Sequence, residues 1–206
     1  MKKLTALILS FVLVFTLTAC GGPTPTETVT TFFKALQNGG ETSEVYEDKD
    51  FKFGSDMLED ELGDDGEKYT EKEKETIKKF EEKIKDFDFE VSNEKIDGDK
   101  ATVDVKITTW NFGEQFSNMM TELIEKVFAL ALTDASEEEI NEMMEKMLGE
   151  YLEKTEKTYT KTVKVPLEKK DSKWVISKID DESDIADALL GGMLKAAEEI
   201  DEAMDD

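Results

Sequence analysis

Apolar residues fall at helical spacing directly after a helix-start signal at residue 24. Thr24, Pro25 and Glu27 match a capping box with proline at the first helical position. Four apolar residues then occupy one face at i, i+3, i+4 and i+7, namely Val29, Phe32, Phe33 and Leu36. The pattern predicts an N-terminal helix with one apolar face that ends at Gly39-Gly40.

A second capping box occurs at Thr70 and Glu73, and an apolar face follows it at Ile77, Phe80 and Ile84. This pattern predicts a helix that ends near residue 85. Residues 41–66, which separate the two predicted helices, carry eleven acidic residues and two lysines. We interpret them as a loop that contains a short helix near 55–62.

Apolar and polar residues alternate in two pairs of segments, which is typical of strands with one buried face. Asp97-Gly98 joins the first pair as a favoured hairpin turn, and a turn at 170–172 joins the second pair. The order of elements predicts an α+β fold built on an antiparallel sheet. The predicted strands are 86–91, 101–108, 159–167 and 174–179.

Between the strand pairs, residues 113–157 carry two apolar stripes at helical spacing, which predicts an inserted helical hairpin. The first stripe contains Phe116, Met119, Met120, Leu123, Ile124, Val127, Phe128 and Ala131. Ser136 and Glu139 match a capping box for the second helix. The second stripe contains Ile140, Met143, Met144, Met147, Leu148, Tyr151 and Leu152.

A single C-terminal helix is predicted to begin near Ser183. Its apolar stripe contains Ile185, Leu189, Leu190, Met193, Leu194 and Ile200. The last turns of this helix are acidic, so their charge opposes the helix dipole and favours a frayed end.

The composition excludes several classes of function. The chain has 50 acidic residues, 26 basic residues that are all lysine, and no histidine, for a formal net charge of -24. Binding to nucleic-acid phosphates needs a surplus of basic residues, so a nucleic-acid partner is not expected. Without histidine there is no Ser-His-Asp triad and no imidazole metal site, and we expect a non-enzymatic protein without a cofactor.

The acidic segment 41–66 has two interpretations. An EF-hand calcium loop needs oxygen ligands at fixed positions around a glycine, and neither Gly66 nor Gly98 has that pattern of neighbours. The segment is therefore either a solvated acidic surface or a region that attracts cations through scattered carboxylates. No metal ligands are assigned.

The N-terminal residues carry an export signal. Residues 4–17 follow two lysines, are almost all apolar, and are too short for a membrane span. They end in Leu17-Thr18-Ala19-Cys20, which resembles the lipobox of bacterial lipoproteins and contains the chain's single cysteine. A glycine follows the cysteine, as is common in that motif.

The lipobox resemblance implies a signal peptide at 1–19 and attachment of a lipid to the Cys20 thiol. The protein would then lie on the extracytoplasmic face of the bacterial cell membrane, held by that lipid anchor. Residues 20–24 would form a short tether, and residues 25–206 would form a single domain.

The order of elements is also similar to that of small lipoproteins of Gram-positive bacteria. Two segments carry this resemblance beside the lipobox, 25–36 (PTETVTTFFKAL) and 98–105 (GDKATVDV). Those families resemble the cystatin-like, nuclear-transport-factor-2-like superfamily. The resemblance implies a curved antiparallel sheet packed on the N-terminal helix, often with a conical cavity, and makes the helical hairpin an insertion. Enzymes of that superfamily usually rely on a His, Asp or Tyr in the cone, and this chain has no histidine.

Two binding functions remain as alternatives. In the first, an apolar small molecule or peptide binds in the cone or between the inserted helices, where methionine-rich surfaces adapt readily. The same side chains would otherwise pack as core. In the second, an envelope scaffold or interaction role, the acidic surface binds a basic protein partner. The candidate residues for the apolar ligand are Phe33, Trp110, Met119, Met120, Met143, Met147 and Trp174.

The lipid anchor is testable by replacing the acylated thiol. We expect Cys20→Ser to abolish labelling with palmitate and to release the protein into the medium, because the acidic domain has no surplus of basic residues to hold it on anionic lipid. The measurement is metabolic labelling followed by fractionation of cells and medium. A variant that stays in the membrane fraction would contradict lipid anchoring.

Overall fold

The computed structural model describes residues 22–48, 53, 70–130, 136–179 and 183–205. Within these residues the chain is an α+β fold, with six helices and a four-stranded antiparallel sheet. The helices are α1 (Pro25–Asn38), α2 (Glu71–Lys85), α3 (Phe112–Leu130), α4 (Glu137–Lys154), α5 (Asp184–Leu189) and α6 (Met193–Asp205). The strands are β1 (Asp88–Asp97), β2 (Lys100–Thr109), β3 (Tyr159–Lys170) and β4 (Lys173–Ile176).

Several sequence predictions lie outside the described residues. These are the signal peptide at 1–19, lipid attachment at Cys20, the short helix near 55–62 and the link between the hairpin helices at 133–135. None of the helices in the described ranges is both long enough and apolar enough to cross a membrane.

The three capping boxes predicted from the sequence are confirmed. The Thr24 hydroxyl accepts a hydrogen bond from the Glu27 N–H at 3.2 Å, and the Glu27 carboxylate accepts one from the Thr24 N–H at 2.8 Å. The same reciprocal pair opens α2 and α4. Each box satisfies donors that a helix start otherwise leaves unpaired. At the other end of α1, Gly39 adopts the left-handed conformation that ends the helix.

The sheet has the strand order β1-β2-β3-β4, and its inner face packs on α1 and α5. β2 pairs with β3 from Lys100 and Glu168 at one end to Thr109 and Tyr159 at the other. Because side chains alternate between the two faces, every second residue of β2 is buried. The inner face contributes Ala101, Val103, Val105, Ile107, Val163, Val165, Leu167, Trp174 and Ile176 to the core.

The space between α1 and the sheet is filled with aromatic rings. Phe32 and Phe33 are fully buried and meet edge to face, with ring centroids 5.5 Å apart. The Phe33 ring also lies 5.3 Å from the Phe89 ring, and the Phe32 ring lies 5.2 Å from the Tyr46 ring. Direct contacts between buried rings therefore hold α1 against the sheet.

The outer edge of β4 is partly covered by the segment that follows α1. Tyr46 forms a parallel bridge to Ile176, and the Tyr46 hydroxyl both accepts from the Ile179 N–H at 2.6 Å and donates to the Ile179 carbonyl at 3.1 Å. The sequence prediction of a strand over 174–179 is therefore too long. β4 ends at Ile176, because the Ile179 backbone is satisfied by a tyrosine hydroxyl rather than by a neighbouring strand.

The prediction of one continuous C-terminal helix is wrong, because the chain turns between α5 and α6. Gly191 and Gly192 have positive φ angles of 59° and 83°, which L side chains rarely adopt. The Gly113 N–H donates to the Gly191 carbonyl at 3.0 Å, and a Cβ on Gly191 would overlap the Trp110 carbonyl oxygen. We call this backbone contact among Trp110, Gly113, Gly191 and Gly192 the glycine lock.

A buried carboxylate holds the start of α6 after this turn. One Asp187 oxygen accepts from the Lys195 N–H at 3.0 Å and so caps the helix. The other accepts from the Tyr159 hydroxyl at 3.4 Å and from the Lys161 ammonium at 3.3 Å. The charge of this buried acid is thus paired, and α6 is tied to β3.

The glycine lock predicts opposite effects for two glycine-to-alanine changes. Gly191→Ala should lower the free energy of unfolding by more than about 2 kcal/mol, because it combines a positive φ with a backbone overlap. Gly149→Ala is the matched control and should raise that free energy by up to about 1 kcal/mol, since its Cβ enters open space within a helix. Urea denaturation of both variants measures the difference. Equal effects would contradict the lock.

Candidate binding surface on the helical hairpin

The base of the hairpin formed by α3 and α4 is firmly attached to the domain. The Asn111 N–H donates to the Glu156 carbonyl at 2.8 Å, and the Asn111 side-chain oxygen accepts from the Glu156 N–H at 2.7 Å. The Tyr151 hydroxyl donates to the Phe112 carbonyl at 3.1 Å, and burial raises the pKa of this phenol. A second core cluster surrounds the base and contains Ile84, Phe112, Tyr151, Leu152 and Leu190.

Away from this base, the apolar rows of both helices continue into solvent. Ile124 continues the i, i+4 row of Phe116 and Met120, and Phe116 packs on the base cluster. Met144 and Leu148 continue the corresponding row of Leu152, which is buried in that cluster. Helical spacing places each row along one side of its helix, and both rows start in this cluster.

The outer parts of the two rows form what we call the apolar hairpin face. A single exposed apolar side chain is ordinary, whereas a contiguous group on one surface marks an interaction site. α3 and α4 are 19 and 18 residues long, or about 28 Å each, and α6 packs along α3 beside the base cluster. Five large apolar residues of the hairpin nevertheless stay exposed. The members and their exposed fractions are Ile124 (53%), Val127 (46%), Phe128 (71%), Met144 (48%) and Leu148 (42%).

The residues predicted for an apolar ligand lie in three different places. Phe33 and Trp174 belong to the main core beneath the sheet. Trp110 lies at the glycine lock, where the Lys83 ammonium stands 3.5 Å from its ring centroid. Burial there lowers the pKa of Lys83, whose ammonium donates to the Thr155 hydroxyl at 2.7 Å.

The four predicted methionines lie on the hairpin itself. Met147 is buried, Met119 packs on the base cluster, and Met120 and Met143 are half-buried. The structure therefore does not bring the seven predicted residues together. The five residues of the apolar hairpin face were not among the predicted site residues. Ile124, Met144 and Leu148 each neighbour one of the four methionines in the sequence or on the helix, whereas Val127 and Phe128 do not. The sequence feature that could have identified them is the length of the apolar stripes, which are longer than one layer of core can cover.

Glutamates predominate on the hairpin that carries the apolar face. α3 and α4 together contain ten glutamates and three lysines. Glu125 lies at i–3 from Phe128 and borders the face, whereas Glu145, at i–3 from Leu148, is half-buried and faces α2. The Lys126 ammonium, 3.0 Å from Glu122, lowers the pKa of that carboxyl and keeps it ionised.

A polar groove of about 520 Å³ runs between α2 and α4. Its charged lining consists of Glu75, Glu142, Glu145, Glu150, Glu153, Lys72, Lys79 and Lys146. The Lys72 ammonium lies 3.6 Å from Glu145 across the groove. In the described parts of the chain, no three acidic side chains converge closely enough to hold a metal ion.

The exposure of the apolar hairpin face predicts that it contributes little to folding. Phe128→Ser should change the free energy of unfolding by no more than about 0.5 kcal/mol. Phe112→Ala, at the buried base of the same helix, should cost about 3–5 kcal/mol because it leaves a cavity. Urea denaturation followed by circular dichroism compares the two. A loss at Phe128 as large as that at Phe112 would show that the face is packed against something.

Comparison with known proteins gives one structural likeness. No protein-family model matches the sequence, and no curated protein matches it significantly. The chain is similar to the crystal structure of YcdA, a candidate lipoprotein of Bacillus subtilis, with a TM-score of 0.48 and 15% sequence identity. The match covers 81% of this chain and 55% of the YcdA chain. A likeness at this level assigns neither a family nor a function to the chain.

Proposed function

We propose that this chain is a lipid-anchored binding protein on the extracytoplasmic face of a bacterial membrane. It binds an apolar small molecule or peptide on the apolar hairpin face, without catalysis. The observation that carries this proposal is the pair of apolar rows that leave the core and end in solvent. A surface of this kind stabilises a complex by removing apolar area from water, at roughly 25 cal/mol per Å².

The start of the domain supports an anchor at one end of the sheet. A Cβ on Gly22 would lie 3.9 Å from the Ser172 carbonyl oxygen, in the turn between β3 and β4. Cys20 precedes Gly22 by two residues, and covalent geometry limits it to about 8 Å from there. The lipid on Cys20 would thus hold this end of the sheet against the membrane.

The hairpin leaves the sheet at the opposite end. β2 runs from Lys100, near that turn, to Thr109, where the chain passes into α3. Ten residues of strand span about 30 Å. An anchor at Cys20 therefore leaves the base of the hairpin well away from the lipid surface, where a partner can reach it.

The described core supports the hairpin, rather than a cone beneath the sheet, as the place of binding. Phe32 and Phe33 fill the space next to α1, so a ligand there would have to displace buried rings. The lack of histidine in the sequence supports a non-enzymatic role. It removes the side chain that most often acts as general acid or base near neutral pH.

A second candidate function is docking of a basic partner on the acidic surface, as in an envelope scaffold. The groove between α2 and α4 favours it, because five glutamates and three lysines line that groove. Exposed ion pairs of this kind are screened by salt. Capture of a partner that high salt abolishes, and that Phe128→Ser leaves intact, would favour this second function.

The proposed function is tested by photolabelling the full chain in nanodiscs of zwitterionic lipid. The probe is a neutral alkyl diazirine, and labelled sites are mapped by mass spectrometry of peptides. We expect saturable labelling of 120–130 and 140–150 that falls several-fold in Phe128→Ser, because a central apolar contact is removed.

The matched control is Ile96→Ser. Ile96 is 55% exposed on β1, at the other end of the domain, and its replacement should leave hairpin labelling unchanged. Labelling that does not saturate, or that follows exposure alone across the chain, would contradict the proposed function.

A further inference from the structure

We infer that the partner of the apolar hairpin face is a basic amphipathic helix, presented by a peptide or by a segment of another protein. This inference rests on the proposed function, since it names the occupant of the same surface. It adds two properties of that occupant. The two apolar rows fit the shape of one helix, and the acidic border selects a helix that carries lysine and arginine.

The shape of the face suits a helix. Its members repeat at i, i+3 and i+4 on two neighbouring antiparallel helices, with Ile124 and Phe128 on α3 and Met144 and Leu148 on α4. An amphipathic helix lays its apolar face into a groove between two such rows and anchors with the same spacing. Met144, a member of the face, adds an unbranched side chain that adjusts to different anchor residues.

The charge of the hairpin selects a basic helix. Each of its three lysines lies within ion-pair distance of a hairpin glutamate: Lys126 is 3.0 Å from Glu122, and Lys146 and Lys154 are 3.6 Å and 3.9 Å from Glu150. The lysines are thus already matched by neighbouring glutamates, and ten glutamates leave a large negative excess. Electrostatic complementarity raises the rate of association and suppresses partners of the same sign.

Glu125 places part of this negative charge at the border of the face. It is exposed and lies one helical turn from Phe128, whereas Glu145 is already paired with Lys72 across the groove between α2 and α4. A helix with apolar residues on one side and lysines on its flanks would put an ammonium group against the Glu125 carboxylate. The same carboxylate would repel an acidic flank.

Charge also disfavours two other occupants. A second copy of the chain would bring two acidic borders together, which costs free energy. An anionic lipid surface would be repelled by the same carboxylates. The hairpin also leaves the sheet at the end opposite to Gly22, away from the proposed anchor.

The test measures peptide binding to the full chain in zwitterionic nanodiscs, with empty discs subtracted. The probe is a labelled peptide of about 18 leucines and lysines with apolar residues at helical spacing, and its counterpart carries glutamate in place of lysine. We expect the basic peptide to bind at least about tenfold more tightly than the acidic one, and to weaken as salt rises. Phe128→Ser should weaken binding of the basic peptide by a similar factor.

A charge variant separates the inference from the proposed function. Glu125→Gln should weaken binding of the basic peptide about two- to fivefold, and should leave labelling by the neutral diazirine unchanged. The matched control, Glu168→Gln, removes the same charge at the far end of the sheet and should change neither.

Each alternative outcome has a distinct meaning. Equal binding of the two peptides, or no effect of the charge variant, would overturn the inference of a basic helix. The proposed function would still stand if diazirine labelling depended on Phe128. Loss of Phe128 dependence for every probe would overturn both. A dimer that sediments as such and dissociates in Phe128→Ser would make a second copy the occupant. Phe128-dependent binding to anionic vesicles would make it a lipid surface.

Discussion

Gly113 and the Gly191-Gly192 pair bring two stretches of backbone into contact at the end of the sheet from which the hairpin departs. Only glycine fits there, because a Cβ on Gly191 would overlap the Trp110 carbonyl and a Cβ on Gly113 would overlap the Gly192 carbonyl. The contact turns the chain between α5 and α6 and lets Leu190 join the cluster at the base of α3 and α4. This close approach and the hydrogen bonds between Asn111 and Glu156 together hold the base of the hairpin on the domain.

A hairpin fixed at its base and longer than the core beneath it must expose part of its apolar side. Near the lock, Phe112, Tyr151 and Leu152 are buried, and farther out Ile124 and Phe128 are not. Folding gains little from the outer rows, and the binding proposed above would account for their apolar character. In that proposal the acidic charge of the hairpin would set which partners approach, and the lipid anchor predicted at Cys20 would set where the surface is displayed.

Short-range signals in the sequence predicted most of the fold. Capping boxes and strand alternation act over a few residues, so Thr24 with Glu27 and the β1–β2 hairpin could be identified without tertiary information. Gly191-Gly192 carries the same local signal as Gly39-Gly40, but the apolar stripe continues across it, so helical spacing predicted one helix. The turn itself is held by contact with Trp110 and Gly113 far away in the chain. The binding surface was only partly predictable for the same reason. Helical spacing identified the stripes, whereas exposure depends on where the core ends.

Oxidation of the native methionines tests the central claim without any substitution. Met144 lies on the apolar hairpin face with 48% exposure, and Met147, one turn away, is 6% exposed. With dilute peroxide and peptide mass spectrometry, Met144 should oxidise at least about tenfold faster than Met147 in the folded full chain. Addition of the basic amphipathic peptide should slow the oxidation of Met144 and leave the oxidation rate of the exposed Met204 unchanged. Equal, slow oxidation of Met144 and Met147 would show that the face is covered and would contradict the account.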